Sequence, residues 1–333
     1  MVSVQVAILG CGGMAGEHAK RLRANPHVHV AAVCDVTTDI ARRFVEKHFK
    51  DADTQPQVFT NPATMYDKAA PDAVCIVTPH TLHFDHGMQA IQAGCHVLME
   101  KPMVTSAEQA YALADQVQRS GRIFVIGYNT PCTPFFHYLR RTIRDHTFGR
   151  LQLVTGWLCQ NWRRFTTGTW RQDPALSGGG QAYDSGAHLF NSLVWAVENR
   201  VAHVTAFVDP CETPVDINSV TNIQFENGVL ASITIGGDCA AEGGAMTFMF
   251  ERGRIDIDGW MGRWINVYDE NNKVIEPHLT GDVTTPDDNF IDAILGKDDP
   301  HTNPRHGIHQ SELMDAIYQS SKSGKSVQPK SRP

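Results

Sequence analysis

A short, mainly apolar run, Val4–Leu9, passes directly into Gly10-Cys11-Gly12-Gly13-Met14-Ala15, and the next such run, Val28–Cys34, ends on an acid, Asp35. Few arrangements of a chain satisfy all of this. A buried strand must end in a tight turn, and Glu17–Ala24 behind the turn reads as a helix. In the pattern G-x-G-x-x-G/A, Gly10 suits the turn, Gly12 permits close approach of the backbone to an anion, and Ala15 is small enough for the helix to lie against the sheet. The N–H groups at the helix start face that anion, and an acid some twenty residues on accepts hydrogen bonds from ribose hydroxyls. The pattern therefore reads as a dinucleotide site made by Gly10, Gly12, Gly13, Met14 and Asp35. A glycine-rich turn without a ligand is the competing reading, and the flanking strand, helix and acid weigh against it.

At 333 residues the chain exceeds the size at which a single core keeps growing, so two domains are expected. A net charge of -7 supplies no basic field for nucleic acid or anionic lipid, and no apolar run reaches the length of a membrane span. The first residues read as a strand and not as a signal peptide. Eight cysteines are scattered with no C-x-x-C pair, and Cys34 and Cys75 fall within strand-like runs. That usage predicts neither a zinc cage nor a disulfide framework, and it points to the cytoplasm.

The first third alternates strand and helix signals, which predicts a doubly wound parallel sheet. Its segments are Val4–Leu9, Glu17–Ala24, Val28–Cys34, Asp39–His48, Ala73–Val77, Phe84–Ala93, His96–Met99, Ala107–Arg119 and Ile123–Ile126. Ser106 with Gln109 reads as a capping box, and Gly94 and Gly121 stand where helices end in the left-handed conformation. Beyond residue 126 the pattern changes to alternating runs joined by hairpin turns. Ser219–Phe225 and Val229–Ile235 flank Glu226-Asn227-Gly228; Met246–Phe250 and Ile255–Ile257 flank Arg252-Gly253; Ile265–Tyr268 and Val274–Ile275 flank Asn271-Asn272. The fold class is thus α/β: a Rossmann domain over 1–126, then an α+β domain over 127–333 with a large, mainly antiparallel sheet. Helices are expected at Asp288–Leu295 and His309–Ser321, with a frayed end over Lys322–Pro333.

Ligands of an open parallel sheet lie beyond the carboxyl ends of its strands. Two ends carry unusual residues, Thr78-Pro79-His80-Thr81-Leu82-His83 and Glu100-Lys101-Pro102. Charged groups directly after the buried run His96–Met99 are poorly explained by packing, although a surface ion pair is the competing reading. A second cluster is Ser177-Gly178-Gly179-Gly180 followed by Asp184, Gly186 and His188. On a helix, the spacing of Asp184 and His188 puts both on one face, where a carboxylate can orient an imidazole that takes a proton from an alcohol. A structural pair accounts for the spacing equally well. Three glycines before a helix carry an entropic cost, which points to something docking closely on their backbone.

In order along the chain, the glycine turn, Thr78-Pro79 with Leu82-His83, Glu100-Lys101-Pro102, Gly127 with Asn129, Trp170-Arg171 with Asp173-Pro174, and Gly178-Gly179-Gly180 with Asp184, Gly186 and His188 together resemble the Gfo/Idh/MocA family. That family includes glucose-fructose oxidoreductase, inositol dehydrogenase and rhizopine-catabolism proteins. The resemblance covers nearly the whole chain, including Gly324-Lys325-Ser326-Val327. It implies Lys101, Asp184 and His188 as the catalytic group, with His188 the proton acceptor and Lys101 and Asp184 placing the substrate hydroxyl. It further implies Thr78, Pro79, His83, Glu100, Lys101, Asn129, Trp170 and Arg171 along the cofactor, a Lys-Pro bond that is often cis, and subunit contacts through the second domain's sheet, as a homodimer or homotetramer. Tyr128, Trp162 and Arg163 are expected beside the substrate, although a solvated loop patch explains Trp162-Arg163-Arg164 as well. Two positions depart from the family pattern: Thr130-Pro131-Cys132 follows Asn129 where basic residues are frequent, and Asn191 replaces a frequent acid.

The implied activity is hydride transfer between a nicotinamide cofactor and a secondary hydroxyl or ketone of a sugar, sugar derivative or cyclitol. The alternative is glycoside cleavage or elimination through transient sugar oxidation with no net redox. A regulator on the same fold ranks below both, since it could dispense with Lys101 and His188. Asp35 beside a 2'-phosphate would repel it by roughly 3 kcal/mol per charge at about 5 Å and an effective dielectric near 20, so NAD is preferred, with NADP possible if Arg42 or Arg43 swings back. A metal at His80, His83 and His86 is not expected, because Lys101 and His188 already supply what alcohol oxidation needs.

Overall fold

The alternation of the first third closes into a six-stranded, all-parallel sheet made of β1 (Val4–Leu9), β2 (Val28–Cys34), β3 (Gln57–Phe59), β4 (Ala73–Ile76), β5 (His96–Met99) and β6 (Phe124–Ile126). Its order is β3-β2-β1-β4-β5-β6. Strand order reverses at β1, so the exits of β1 and β4 form the crevice where such sheets bind ligands. Every residue of β4 is buried, as a strand covered on both faces requires. Helices Gly13–Ala24, Thr38–Phe49, His83–Gln92 and Ala107–Ser120 are among those that connect the strands. Thr37 caps the second of these through Ile40 N, and Ser106 caps the last through Gln109 N. The Gln109 side chain reaches Thr105 N, so the expected capping box is only half formed. Strand β3 and helix Pro62–Ala69 were not expected from the sequence; three residues of edge strand leave too short a pattern to read.

The computed structural model describes residues 3–332. The chain divides into two units: one runs to Gly127 and includes Thr284–Arg305, and the other comprises Tyr128–Val283 and the chain from His306. The return of Thr284–Arg305 differs from the sequence division, which kept everything after residue 126 in the second domain. Helix Pro286–Ile294 buries Phe290 and Ile291 in the core of the parallel sheet, and Thr302 Oγ1 donates to Ile126 O at 2.6 Å. Both anchor the excursion to the first unit.

The second unit is built on an eight-stranded sheet of β7 (Leu151–Cys159), β8 (Val201–Asp209), β9 (Asn218–Phe225), β10 (Leu230–Gly236), β11 (Gly243–Phe250), β12 (Gly253–Ile257), β13 (Ile265–Asp269) and β14 (Val274–Ile275). The order is β14-β13-β12-β11-β7-β10-β9-β8, antiparallel except for the parallel pair β7 and β10. One face packs on helices Pro134–Arg144, Gly186–Val197 and Pro304–Ser323 through Phe136, Leu193 and Leu313. The other face presents Leu153, Trp157, Phe207, Val220 and Leu230 as exposed apolar side chains. The expected frayed end is corrected in part: Val204 and Val327 exchange two backbone hydrogen bonds of 2.8 and 2.9 Å, and Ser320 Oγ donates to Lys325 O. Pro333 lies outside the described residues. Among those described, no helix is long and apolar enough to cross a membrane.

Candidate active site

In the first unit the glycine turn has the geometry that its sequence implies. Gly10 has φ +94°, and a Cβ there would lie 2.6 Å from Val77 O, so both conformation and space demand glycine. Gly12 is different. Its φ of -80° suits any residue, and a Cβ there would meet nothing within 4 Å. Nothing in the protein requires glycine at that position, whereas a group docking on the backbone would. Helix Gly13–Ala24 begins with no side-chain cap and no acid in its first turn, which leaves its positive end to an anion. Gly13 and Met14 are exposed on this turn.

Asp35 stands at the exit of β2, where Cys11 N donates to Oδ2 and Val36 N to Oδ1, each at 2.7 Å. The carboxylate is thus pinned beside the glycine turn. Burial, with Asp35 nearby, pushes the Cys11 thiol up to about 12, so that sulfur adds no charge to the cradle. The uncapped helix start, the open face at Gly12 and the fixed acid fit the pyrophosphate and ribose of a dinucleotide.

At the exits of β4 and β5, Thr78 and Pro79 are half-buried, Glu100 is buried and Lys101 is half-buried. The Lys101–Pro102 peptide is cis. His83, expected along the cofactor, is fully buried: Nδ1 lies 2.7 Å from Pro102 O and Nε2 2.8 Å from Thr78 O. Two backbone carbonyls occupy the ring, so the expectation is corrected, and His83 ties the loop after β5 to the loop after β4. His86 Nδ1 pairs with Thr78 Oγ1 at 3.0 Å. Sequence reasoning missed His18 altogether. Its ring lies between Glu100 Oε1, at 3.1 Å, and Asp287 Oδ1, at 2.8 Å, with Arg21 Nη1 3.2 Å from Asp287 Oδ2.

In the second unit, helix Gly186–Val197 begins after Asp184, whose own N–H bonds to Gly180 O. The carboxylate therefore projects from a turn ahead of the helix that carries His188. Its Oδ2 accepts from Trp162 Nε1 at 2.8 Å and from Arg171 Nε at 2.9 Å. Donation from an indole and a guanidinium stabilises the charged carboxylate at a site that is 5% exposed. Trp162 is wholly buried and its indole N–H holds Asp184, so it is no part of a solvated loop patch. Arg171 reaches Asp184 while its guanidinium lies over the Trp170 ring at 4.5 Å. Arg163 Nη1 pairs with Asp238 at 2.9 Å near the surface.

His188 is 9% exposed, and Tyr128 meets it edge-on with ring centroids 5.7 Å apart. Asn129 is half-buried at the start of the turn Thr130–Cys132. One turn beyond His188, neither amide atom of the fully buried Asn191 has a hydrogen-bond partner among the described residues.

What docks closely on the glycines before Asp184 is the protein itself, at Gly179 and Gly180. A Cβ on Gly179 would lie 2.5 Å from the Tyr318 hydroxyl, and one on Gly180 would lie 2.7 Å from Asp216 N. The Asp216 carboxylate accepts from Gly180 N (2.6 Å), Ala182 N (2.7 Å) and Tyr318 OH (2.6 Å). These bonds hold the loop that carries Asp184.

Residues 4–128 match a family model described as the oxidoreductase family, NAD-binding Rossmann fold, and residues 136–256 match the GFO/IDH/MocA C-terminal domain. The chain is 24% identical to a D-glucoside 3-dehydrogenase of Escherichia coli K12, over 98% of this chain and 97% of that protein. An oxidoreductase domain protein from Kribbella flavida shares the fold with a TM-score of 0.87 at 20% identity, covering 99% of this chain and 100% of that one. GenD2 from gentamicin A biosynthesis, solved in complex with NAD, gives a TM-score of 0.84 at 24% identity over 99% and 97% of the two chains.

Proposed function

Because the chain belongs to the Gfo/Idh/MocA family of oxidoreductases, we propose that it oxidises a secondary hydroxyl of a sugar, sugar derivative or cyclitol, or reduces the corresponding ketone, with NAD preferred over NADP. The observation that carries this reading is Asp184, a buried carboxylate that accepts from Trp162 and Arg171, four positions before His188. When bound, the nicotinamide supplies the hydride acceptor or donor.

The glycine turn, with Gly12, Gly13 and Met14, would take the pyrophosphate, and Asp35 the adenosine ribose. Thr78, Pro79, Glu100, Lys101, Asn129, Trp170 and Arg171 complete the proposed cofactor wall. In the oxidation direction, His188 takes the hydroxyl proton, the role for which imidazole is the commonest side chain. Lys101 and Asp184 hold the same hydroxyl, the ammonium stabilising negative charge as it develops on oxygen and the carboxylate fixing its direction. Tyr128 packs against His188 and limits how its ring turns. Lys101, Asp184 and His188 act on one substrate in this proposal, and removal of any one should abolish turnover while leaving the Rossmann fold intact.

The exposed apolar face of the second unit's sheet is the proposed surface for homodimer or homotetramer formation, and the cytoplasm the proposed compartment. The resemblance to a D-glucoside dehydrogenase makes glucosides the first substrates to test, followed by sugar acids and inositols. Purified enzyme is mixed with NAD and each compound, and nicotinamide absorbance is followed. Reduced cofactor should accumulate with at least one of them, and not with His188→Ala. A panel that yields none, with cofactor binding verified, refutes the proposal; glycoside cleavage without reduced cofactor would replace it by the reaction with no net redox.

A further inference from the structure

Two buried imidazoles grip the residues on either side of Lys101. On one side, Glu100 Oε1 pairs with His18 Nε2 at 3.1 Å, while Oε2 accepts the Lys101 backbone N–H at 3.2 Å. His18 comes from the helix that the glycine turn opens, and its other nitrogen is tied to Asp287 on helix Pro286–Ile294. On the other side, Pro102 O faces His83 Nδ1, whose partner nitrogen reaches Thr78 O. His18 and His83 are 1% and 0% exposed, so neither ring serves as a ligand contact. Packing alone does not account for them, because apolar side chains could fill the same space without desolvating polar atoms.

We propose that His18 and His83 are positioning residues for Lys101, clamping residues 100 and 102 so that the lysine is held in one pose; this rests on the role assigned to Lys101 above. The two clamps differ chemically. Both oxygens that face His18 belong to carboxylates, which only accept when ionised, so the ring satisfies both with both nitrogens protonated. Burial works to lower its proton affinity, but the charge of Asp287 and the hydrogen bond to it act the other way, and the pKa lies above the usual histidine value. Burial keeps the Cys75 thiol protonated, which leaves the Asp287 carboxylate as the source of charge, with Arg21 balancing its second oxygen. Glu100 also leaves no room at residue 127, where a Cβ would lie 2.8 Å from Oε1.

Around His83 the acceptors are carbonyls. Burial lowers its pKa, while the bonds to Pro102 and Thr78 and the nearby Glu100 oppose the fall and His86 adds to it. A neutral ring donates to one of the two carbonyls, and a protonated ring to both. The protonated ring bonds both loops at once, and a neutral ring holds the Pro102 side when its proton is on Nδ1.

The full-length enzyme is labelled with [13Cε]lysine, the Lys101 resonance is assigned with Lys101→Arg, and spectra are compared with and without NAD. In His18→Gln and His83→Gln the Lys101 signal should shift or broaden, with kcat down about tenfold or more and KM for NAD within about twofold, because a misplaced group affects turnover more than remote binding. Folded variants with an unchanged Lys101 signal and unchanged kcat overturn the proposal. Should either variant fail to fold, the wild type decides: its Lys101 amide must resist hydrogen exchange, and nitrogen NMR must show His18 protonated on both nitrogens at pH 7. An unprotected amide or a neutral His18 overturns the clamp. If the lysine signal moves in the variants while no substrate is turned over even by wild type, the clamp stands and the functional proposal fails.

Discussion

Gly12 and Gly180 make opposite predictions for the same substitution. At Gly12 the backbone is already in a region that alanine adopts, and a Cβ meets nothing within 4 Å. Gly12→Ala should therefore raise folding stability by about 0.4–1 kcal/mol, the gain from restricting the unfolded chain. Its methyl group would occupy the space proposed for the pyrophosphate. Overpacking of this kind costs about 1–3 kcal/mol, which weakens NAD binding roughly 5- to 150-fold. At Gly180 a Cβ would lie 2.7 Å from Asp216 N and 2.8 Å from Asp216 C, both backbone atoms that cannot move aside. Relief requires separating Gly180 N and Ala182 N from the Asp216 carboxylate, so Gly180→Ala should lose more than about 3 kcal/mol. Urea denaturation measures the stabilities, and quenching of protein fluorescence by NADH measures the affinity. A Gly12→Ala enzyme that binds NADH as the wild type does would refute the assignment of the turn, and a Gly180→Ala enzyme of wild-type stability would refute the packing account of the triple glycine.

Trp162→Phe removes the indole donor to Asp184 and leaves Arg171; losing a hydrogen bond to a charged group costs about 1.5–3 kcal/mol, so kcat should fall roughly 10- to 100-fold in steady-state assays with little change in NADH affinity. Asp35→Asn removes a repulsion of roughly 3 kcal/mol toward a 2'-phosphate, and the ratio of kcat/KM for NADP over NAD should rise by about two orders of magnitude when the two cofactors are compared at one pH. His18, whose folded pKa is raised, contributes stability that is complete below its unfolded pKa near 6.5 and is lost as pH rises through the folded value; in His18→Gln, the fall of urea stability on the alkaline side should be shallower than in wild type.

What the sequence conveyed about this molecule depended on how far apart the interacting residues lie. The parallel sheet was readable because strands covered on both faces leave short continuous apolar runs, and the turn after β1 because its glycines stand at a fixed spacing between a strand and a helix. The Asn-Gly hairpin was readable from its turn residues in the same way. The partnership of β7 with β10 was not, since a parallel pair is joined by a long crossover with no turn signature. Trp162 beside two arginines in a loop reads as surface, but its indole is buried by Val215 and Ile217 and bonded to Asp184. The triple glycine announces a close approach without naming what approaches: Asp216 lies 36 residues from Gly180, and Tyr318 a further 102 beyond Asp216. His18 gave less signal still, because a histidine on a helix that also carries Lys20, Arg21 and Arg23 passes for solvent-facing polarity, and its carboxylate partners stand 82 and 269 residues away. Motif spacing thus specifies where the backbone turns. The hydrogen-bond partners of Asp184 and Glu100 are brought to them only by the folded chain, so the candidate chemistry was legible in residue type before the means of holding it in place was.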